Sequence, residues 1–458
     1  MGSEMCIRDR FGLSTLLPAF GGLGFTLIAF ILCLSLIVFI HEYGHYIVGR
    51  WSGIHAEVFS IGFGPVLFAR VDRRGTIWQV AAIPLGGYVR FKGDKGAASD
   101  VDTNAFDDMD AAERRSTMHG APLWARASTV AAGPAFNFIL SLILFFGLSI
   151  SQGVTKNPLT VGQVYDVPQL SEVQVGDILK RVGSIDVPVD GEFSDFFLAI
   201  RKNPDGPIID YVVERNGRDI VVKGPSMDLA RISSLIPRSA AMEAGLRVGD
   251  VVTHVNGGPI NYFSDLKVAV EGSNGAPLSL TVYRSGQTLY FDLQPKKLEE
   301  QNDQGGYDVF WRIGIVSTLY AFEPESEAIG LTEAAQNAVR TTYSVMKASI
   351  TGLVDVVTGA ISSCNLSGPI GIAETSGQMA RQGGDSLIWF IAVLSTAVGL
   401  INLFPIPVLD GGHLVFHSYE ALTGRPPNLR VMNAMMMAGV VIVLSFMMFA
   451  LFNDVFCP

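Results

Sequence analysis

The chain has few cysteines and no excess of positive charge. Its 4 cysteines, Cys6, Cys33, Cys364 and Cys457, show no CxxC spacing, and Cys33 and Cys457 lie in or beside apolar runs. This supports neither a disulfide framework nor a cysteine zinc site, and it leaves Cys364 paired or free. With 33 Lys+Arg against 43 Asp+Glu the net charge is −10, which argues against nucleic-acid binding. From Gly22 to Ile40 charge of either sign is missing, over a stretch long enough to cross a bilayer core. With 49% hydrophobic residues and a mean hydropathy of +0.35, the 458 residues read as a membrane protein with room for one or two soluble domains.

The first apolar run ends in His41-Glu42-Tyr43-Gly44-His45, an HExxH motif. On a helix His41 and His45 sit one turn apart on one face, while Glu42 projects about 100° away from His41. Two imidazoles so placed can hold one zinc ion and leave a position open for water, whose proton Glu42 can take as general base. Histidines and a glutamate at the end of a membrane helix are costly unless they serve a purpose.

Residues 1–10 read as an artefact rather than native structure, and 11–52 as the first transmembrane helix. Residues 53–122 alternate β-branched and aromatic residues with Gly/Pro punctuation, predicting short strands and hairpins that dip into the membrane beside the site or stand outside it. Within them Gly96 to Gly120 is polar and predicts a mobile loop. A second transmembrane helix is expected at 123–150. Arg70, Arg73, Arg74, Arg90, Lys92, Lys95, Arg114 and Arg115 between the two helices put this loop, and the HExxH end, on the cytoplasmic side.

Residues 151–225 and 226–297 repeat one another. Val175-Gly176-Asp177 aligns with Val248-Gly249-Asp250, and Val212 to Gly217 with Thr281 to Gly286. Ala241 to Asp250 resembles the helix-to-strand signature of bacterial PDZ domains, which add an extended peptide to a sheet edge. Two PDZ-like α+β modules are therefore expected, with peptide or protein termini as ligands; ligand-free β-rich spacers are the plainer alternative. Residues 298–365 read as a polar linker with one strand-like patch, Val309 to Ile315, and an amphipathic helix, whose stripe Val339, Tyr343, Met346, Ile350, Leu353 and Val357 lies on the membrane surface or packs on the PDZ-like pair, with packing the favoured reading. A third transmembrane segment is expected in 366–422, apolar from about Leu387 to Tyr419, and a fourth in 423–458. Arg425 and Arg430 between them are again cytoplasmic, which leaves the repeated modules outside, in the periplasm of a Gram-negative cell.

Inside the third segment lies Asn402-Leu403-Phe404-Pro405-Ile406-Pro407-Val408-Leu409-Asp410-Gly411-Gly412. An aspartate in an apolar run needs a cation or a partner, and Asp410 is the natural third metal ligand; His413 and His417 are rivals.

Together, HExxH, NxxPxPxLDGG and the intervening PDZ-like modules resemble the site-2 protease family, peptidase M50, in its bacterial RseP-type branch. The resemblance extends to Gly62-Phe63-Gly64, Pro84 to Tyr88, Ala132-Gly133-Pro134 and Ser367 to Gly371, covering nearly the whole chain after residue 10. It implies a multi-pass α-helical membrane protein of about four transmembrane helices, with a membrane-associated β-hairpin region and two periplasmic PDZ-like domains. It further implies one zinc ion per chain on His41, His45 and Asp410, with Glu42 as catalytic base. Substrate contacts would come from Asn402, Pro405 and Pro407, from Gly62, Phe63 and Gly64, and from Ile83, Leu85, Gly86, Gly87 and Tyr88, where the unwound substrate pairs as a strand. The family's substrates are single-span membrane proteins in the bilayer, such as anti-sigma factors, and remnant signal peptides, cut after a first extracytoplasmic cleavage in the envelope stress response. A membrane-anchored zincin cutting soluble proteins is disfavoured by the unbroken apolar run into His41. A non-catalytic PDZ-bearing receptor or scaffold with a structural zinc is the alternative, and a transporter lacks the repeated spans it would need.

Overall fold

The computed structural model describes residues 22–94, 109–189, 193–202, 206–301, 306–318 and 320–456; the readings made for residues 1–10 and for 95–108 of the polar loop lie outside them. The chain divides into two units, Met1–Leu148 with Thr332–Val357 and Ser363–Pro458, and Ser149–Leu331 with Thr358–Ser362.

In the first unit four helices are long and apolar enough to cross a membrane: Gly22–Trp51, Leu123–Gln152, Gly384–Asn402 and Leu429–Phe456. Helix is the conformation in which such runs pair their backbone groups internally, as a bilayer requires. The expected third segment is not one rod. It comprises the helix Pro369–Gln382, the helix Gly384–Asn402 and, after a turn, the helix Asp410–Thr423. Pro405 and Pro407 have no N–H to donate and bias their predecessors away from helix. The chain turns back there because Gly411 and Gly412 leave room: a Cβ on either would stand 2.3 Å from the carbonyl oxygens of Leu403 and Ile406 respectively. Asp454, near the end of the last helix, caps the helix starting at Pro369, accepting from the backbone N–H of Gly368, Ile370 and Gly371 at 2.9, 3.0 and 3.1 Å.

The amphipathic helix Leu331–Thr358 packs through another face than the one expected. Ala334, Ala338 and Thr342 are buried, and Ala338 joins Phe145 and Leu148, whereas Val339, Tyr343, Ile350 and Val357 are exposed. Small side chains let the backbones approach closely; the bulky stripe cannot. The described part of the polar loop is packed rather than mobile: it holds the helix Ala111–Arg115, and Met118 is buried with Tyr46 and Phe91. Cys364 is disulfide-bonded, its partner lying outside the described residues, and Cys33 is a buried free thiol.

The strands Ala56–Val71 and Ile77–Phe91 pair antiparallel where 56–61 meets 87–91 and 66–71 meets 77–81, while 58–61 also runs beside 77–80 in the same direction. Ser60 faces both Tyr88 and Gln79, and Ala69 faces Gln79. Each long strand therefore bends back, and the result is four short strands with 87–91 at one edge and 66–71 at the other. The bends fall at Gly62 and Gly64, with φ of +90° and +85°, and at Gly86, a backbone region that glycine enters without a Cβ penalty. Asp72 secures the distal turn, accepting from the backbone N–H of Arg74 and Thr76 at 2.7 and 3.0 Å and from Trp78 Nε1 and Tyr46 Oη, both at 3.3 Å. Because Tyr46 follows His45, this also ties the sheet to the first helix.

The second unit carries the repeat. One four-stranded sheet has the order Ile185–Asp186, Ile178–Val182, Ile208–Arg215, Arg218–Pro225; the other runs Gly258–Pro259, Val251–Val255, Leu278–Arg284, Gln287–Leu293. Each has a helix between its second and third strands in sequence, Ser194–Lys202 and Phe263–Gly272, over its own core. The Val-Gly-Asp aspartates have the same partners in both. Asp177 pairs with Arg215 Nε at 2.7 Å and accepts from Gln174 N–H at 2.8 Å; Asp250 pairs with Arg284 Nε at 2.6 Å and accepts from Arg247 N–H at 2.8 Å. Residues expected as linker after 297 complete both modules. Ile315–Val316 pairs with Ser234–Leu235, and Phe322–Pro324 with Val161–Val164, burying Phe322 in the first core.

Candidate metal centre and its cavity

His41 and His45, on consecutive turns, bring their Nε2 atoms within 3.2 Å of each other. Asp410, the first residue of its helix, places Oδ2 3.2 Å from His41 Nε2 and Oδ1 3.6 Å from His45 Nε2. Ligands held about 2.0–2.2 Å from one zinc ion at tetrahedral angles stand roughly 3.3–3.5 Å apart, so this spacing fits a shared ion. Two imidazole nitrogens and a carboxylate crowded together need a cation or a proton between them, and the buried Oδ2 of Asp410 has no hydrogen-bond partner among the described residues. No other group of three or more His, Cys, Asp or Glu among the described residues converges in this way. His413 and His417 line the same cavity without joining the cluster.

The second helix forms the back wall. Gly133 lies against the imidazoles, where a Cβ would stand 2.3 Å from His45 Nε2 and 2.8 Å from His41 Cε1. Across the same contact a Cβ on Gly44 would be 2.5 Å from the Ala132 carbonyl oxygen, so the two backbones nearly touch. One turn before Gly133, the Thr129 carbonyl accepts from His45 Nδ1 at 2.8 Å; one turn after it, the Asn137 amide lies 3.1 Å from His41 Nδ1. Further along the cavity Arg126 grips Glu420 of the Asp410 helix with two hydrogen bonds, 3.0 and 2.6 Å.

A cavity of about 700 Å³ opens from the cluster, lined among others by Glu42, Gly87, Tyr88, Asn402, His413 and His417. Glu42 lies beside the inner edge of the sheet: a Cβ on Gly87 would be 3.1 Å from its Cγ. Of the expected substrate contacts, Gly87, Tyr88 and Asn402 line this cavity. Gly62, Phe63, Gly64, Ile83 and Gly86 gather at the bend of the sheet instead, with Phe63 opposite Ile83 and its ring stacked on Tyr88 at 6.0 Å. Leu85 is in the same strand, its side chain outside the description. Pro405 and Pro407 shape the turn before Asp410 rather than the cavity wall. Sequence reasoning gave no role to Thr129, Gly133, Asn137, Arg126 or Glu420. Asn137 did carry a signal, as a lone amide in an apolar run, i+4 from a glycine.

The profile of Peptidase family M50 matches residues 29–446. A protein of Agrobacterium fabrum, named provisionally as a zinc metalloprotease, is 35% identical over 443 residues, 97% of this chain and 99% of its own length. A similarly named protein of Rhizobium meliloti is 34% identical over 433 residues, 94% of this chain and 97% of its own. The regulator of sigma-E protease, RseP, of Salmonella typhimurium is 31% identical over 458 aligned residues, 93% of this chain and 98% of its own. The chain belongs to peptidase family M50 and is a metalloprotease of the site-2 type.

Proposed function

We propose that the chain is an intramembrane zinc endopeptidase of the inner membrane. The observation that carries this is the convergence of His41, His45 and Asp410 with Glu42 beside them, the HExxH residues on one apolar helix and Asp410 just after the turn that follows another. One zinc ion per chain, held by these three residues, would polarise the scissile carbonyl and acidify water. Glu42 takes the proton from the attacking water and passes it to the leaving amine. The Thr129 carbonyl holds the His45 ring. A membrane helix hides its peptide bonds, so a substrate must unwind before it is cut. The edge strand 87–91, beside Glu42, offers hydrogen bonds to an extended chain, and Asn402 stands across the cavity to hold it. The bend residues Gly62, Phe63, Gly64, Ile83, Leu85 and Gly86 shape that edge.

The substrates are single-span membrane proteins of the anti-sigma-factor kind and remnant signal peptides, already trimmed on the outer side, within regulated intramembrane proteolysis. The two repeated modules are PDZ-like and periplasmic. The second has an apolar groove of about 210 Å³ between its helix, with Phe263, Leu266 and Val270, and Ile313-Gly314-Ile315, suited to a peptide end. The cationic loops put the metal centre near the cytoplasmic side. A disulfide at Cys364, near the end of the last helix, suits the oxidising face. The test is to incubate the purified protein in detergent with a single-span substrate and map the cut by mass spectrometry. A cut within the apolar span, abolished by a zinc chelator and restored by zinc, supports the proposal; a cut confined to soluble loops contradicts it.

A further inference from the structure

We propose that Asn137 is a positioning residue for the metal centre, its carboxamide oxygen accepting from Nδ1–H of His41. The inference rests on the assignment of His41, His45 and Asp410 as ligands. His45 has a fixed tautomer, since the Thr129 carbonyl can only accept, so its Nδ1 carries the proton and its Nε2 lone pair is free for the ion. His41 has no such carbonyl. Its Nδ1 lies 3.1 Å from the Asn137 carboxamide nitrogen, Nδ2, and an amide presents either a donor or an acceptor depending on which way it is turned. With Nε2 on a metal ion, Nδ1 must carry the proton, and the amide must turn its oxygen towards it.

Three features make Asn137 fit that task. It is fully buried, its Oδ1 has no hydrogen-bond partner among the described residues, and a buried acceptor without a donor is costly. An Nδ1–H from His41 is the donor it lacks. The backbone at Asn137 is also fixed: its carbonyl accepts from Ser395 Oγ at 2.9 Å, and the single Ser141 hydroxyl proton is shared between that carbonyl at 3.0 Å and the Ala392 carbonyl at 2.9 Å. These bonds bolt the second helix to the third. Finally, a Cβ on Gly399 would stand 3.1 Å from Asn137 Cβ, so the third helix approaches closely at this point of the second. Asn137 thereby does for His41 what Thr129 does for His45, and both stand on the helix carrying Gly133 between them.

The experiment compares wild type, Asn137→Leu, Asn137→Asp and Asp410→Asn as full-length proteins in detergent. Zinc affinity is measured by competition with a chromophoric chelator, and unfolding is followed on the metal-free proteins. Loss of a hydrogen-bond partner behind a ligand costs about 10–100-fold in metal affinity, the fall expected for Asn137→Leu. Asn137→Asp keeps an acceptor in place and is expected to hold zinc as tightly as wild type or more so. The metal-free proteins with Leu or Asp at 137 should unfold as wild type does. Wild-type zinc affinity in Asn137→Leu overturns the proposal. So does a parallel loss of zinc in both variants together with a destabilised metal-free protein, because that is a packing role. Unchanged affinity in Asp410→Asn overturns the ligand assignment instead.

Discussion

The Thr129 carbonyl and the His45 imidazole meet at 2.8 Å, one turn before the place where Gly133 admits the rings of both His41 and His45. The second helix is thus a template against which the HExxH face is set, and at His45 it acts through its backbone and one missing side chain.

Gly133→Ala should therefore be out of proportion to its size. The added methyl would occupy the space of the His45 ring, which must turn away from Asp410 and from the Thr129 carbonyl. Zinc affinity is expected to fall by about 10–100-fold, the loss typical of disturbed ligand orientation. Equilibrium dialysis with metal analysis reads this directly, and Gly147→Ala, which meets open space on the same helix, is the control expected to change nothing.

The Arg126–Glu420 pair joins the second helix to the helix bearing Asp410, with both side chains less than a fifth exposed. Removing one partner of a buried pair costs up to about 3–5 kcal/mol because the other charge is left unpaired, whereas apolar replacement of both is often neutral. Arg126→Leu and Glu420→Leu should each lower the thermal midpoint more than the double variant does. A double variant worse than both singles would contradict this.

The two modules should respond alike to the same change. Arg215→Met strands Asp177 and Arg284→Met strands Asp250, and each carboxylate is about 1% exposed. A loss of roughly 3 kcal/mol is expected at either site, read as earlier proteolysis of the corresponding module in the full chain.

Gly87→Val tests the inner edge of the sheet. Its branched side chain would press on Ser60 O, Val38 and Glu42 Cγ, at 2.7, 3.0 and 3.1 Å from the Cβ position, without touching a proposed ligand. Cleavage should fall at least about 100-fold, in keeping with a small misplacement of a catalytic group, while bound zinc stays at the wild-type level. Loss of zinc along with cleavage would show that the edge strand supports the ligands rather than Glu42.

The legible features were those written locally. HExxH has its meaning within one helical turn, and the apolar runs announce the four long helices. The repeat was visible because Asp177 and Asp250 sit in one motif and Arg215 and Arg284 in another. What escaped depends on distant backbone. Thr129 acts through a carbonyl that every residue possesses, so nothing in its side chain signals the contact. The closing strand Phe322–Pro324 is too short for any periodicity to betray, and the strand-like patch Val309 to Ile315 did not show which module Ile315–Val316 would join. The break in the third segment was half visible: Pro405 and Pro407 marked loosened helix, but only the clash that a Cβ would meet at Gly411 and Gly412 explains the full turn.

The central claim is that Glu42 moves the proton and His41, His45 and Asp410 hold the metal. Measuring intramembrane cleavage and zinc content together on Glu42→Gln tests it most directly. The account predicts zinc at the wild-type level with cleavage reduced by at least about 100-fold, the scale of general-base catalysis. Cleavage at the wild-type rate by Glu42→Gln would contradict it.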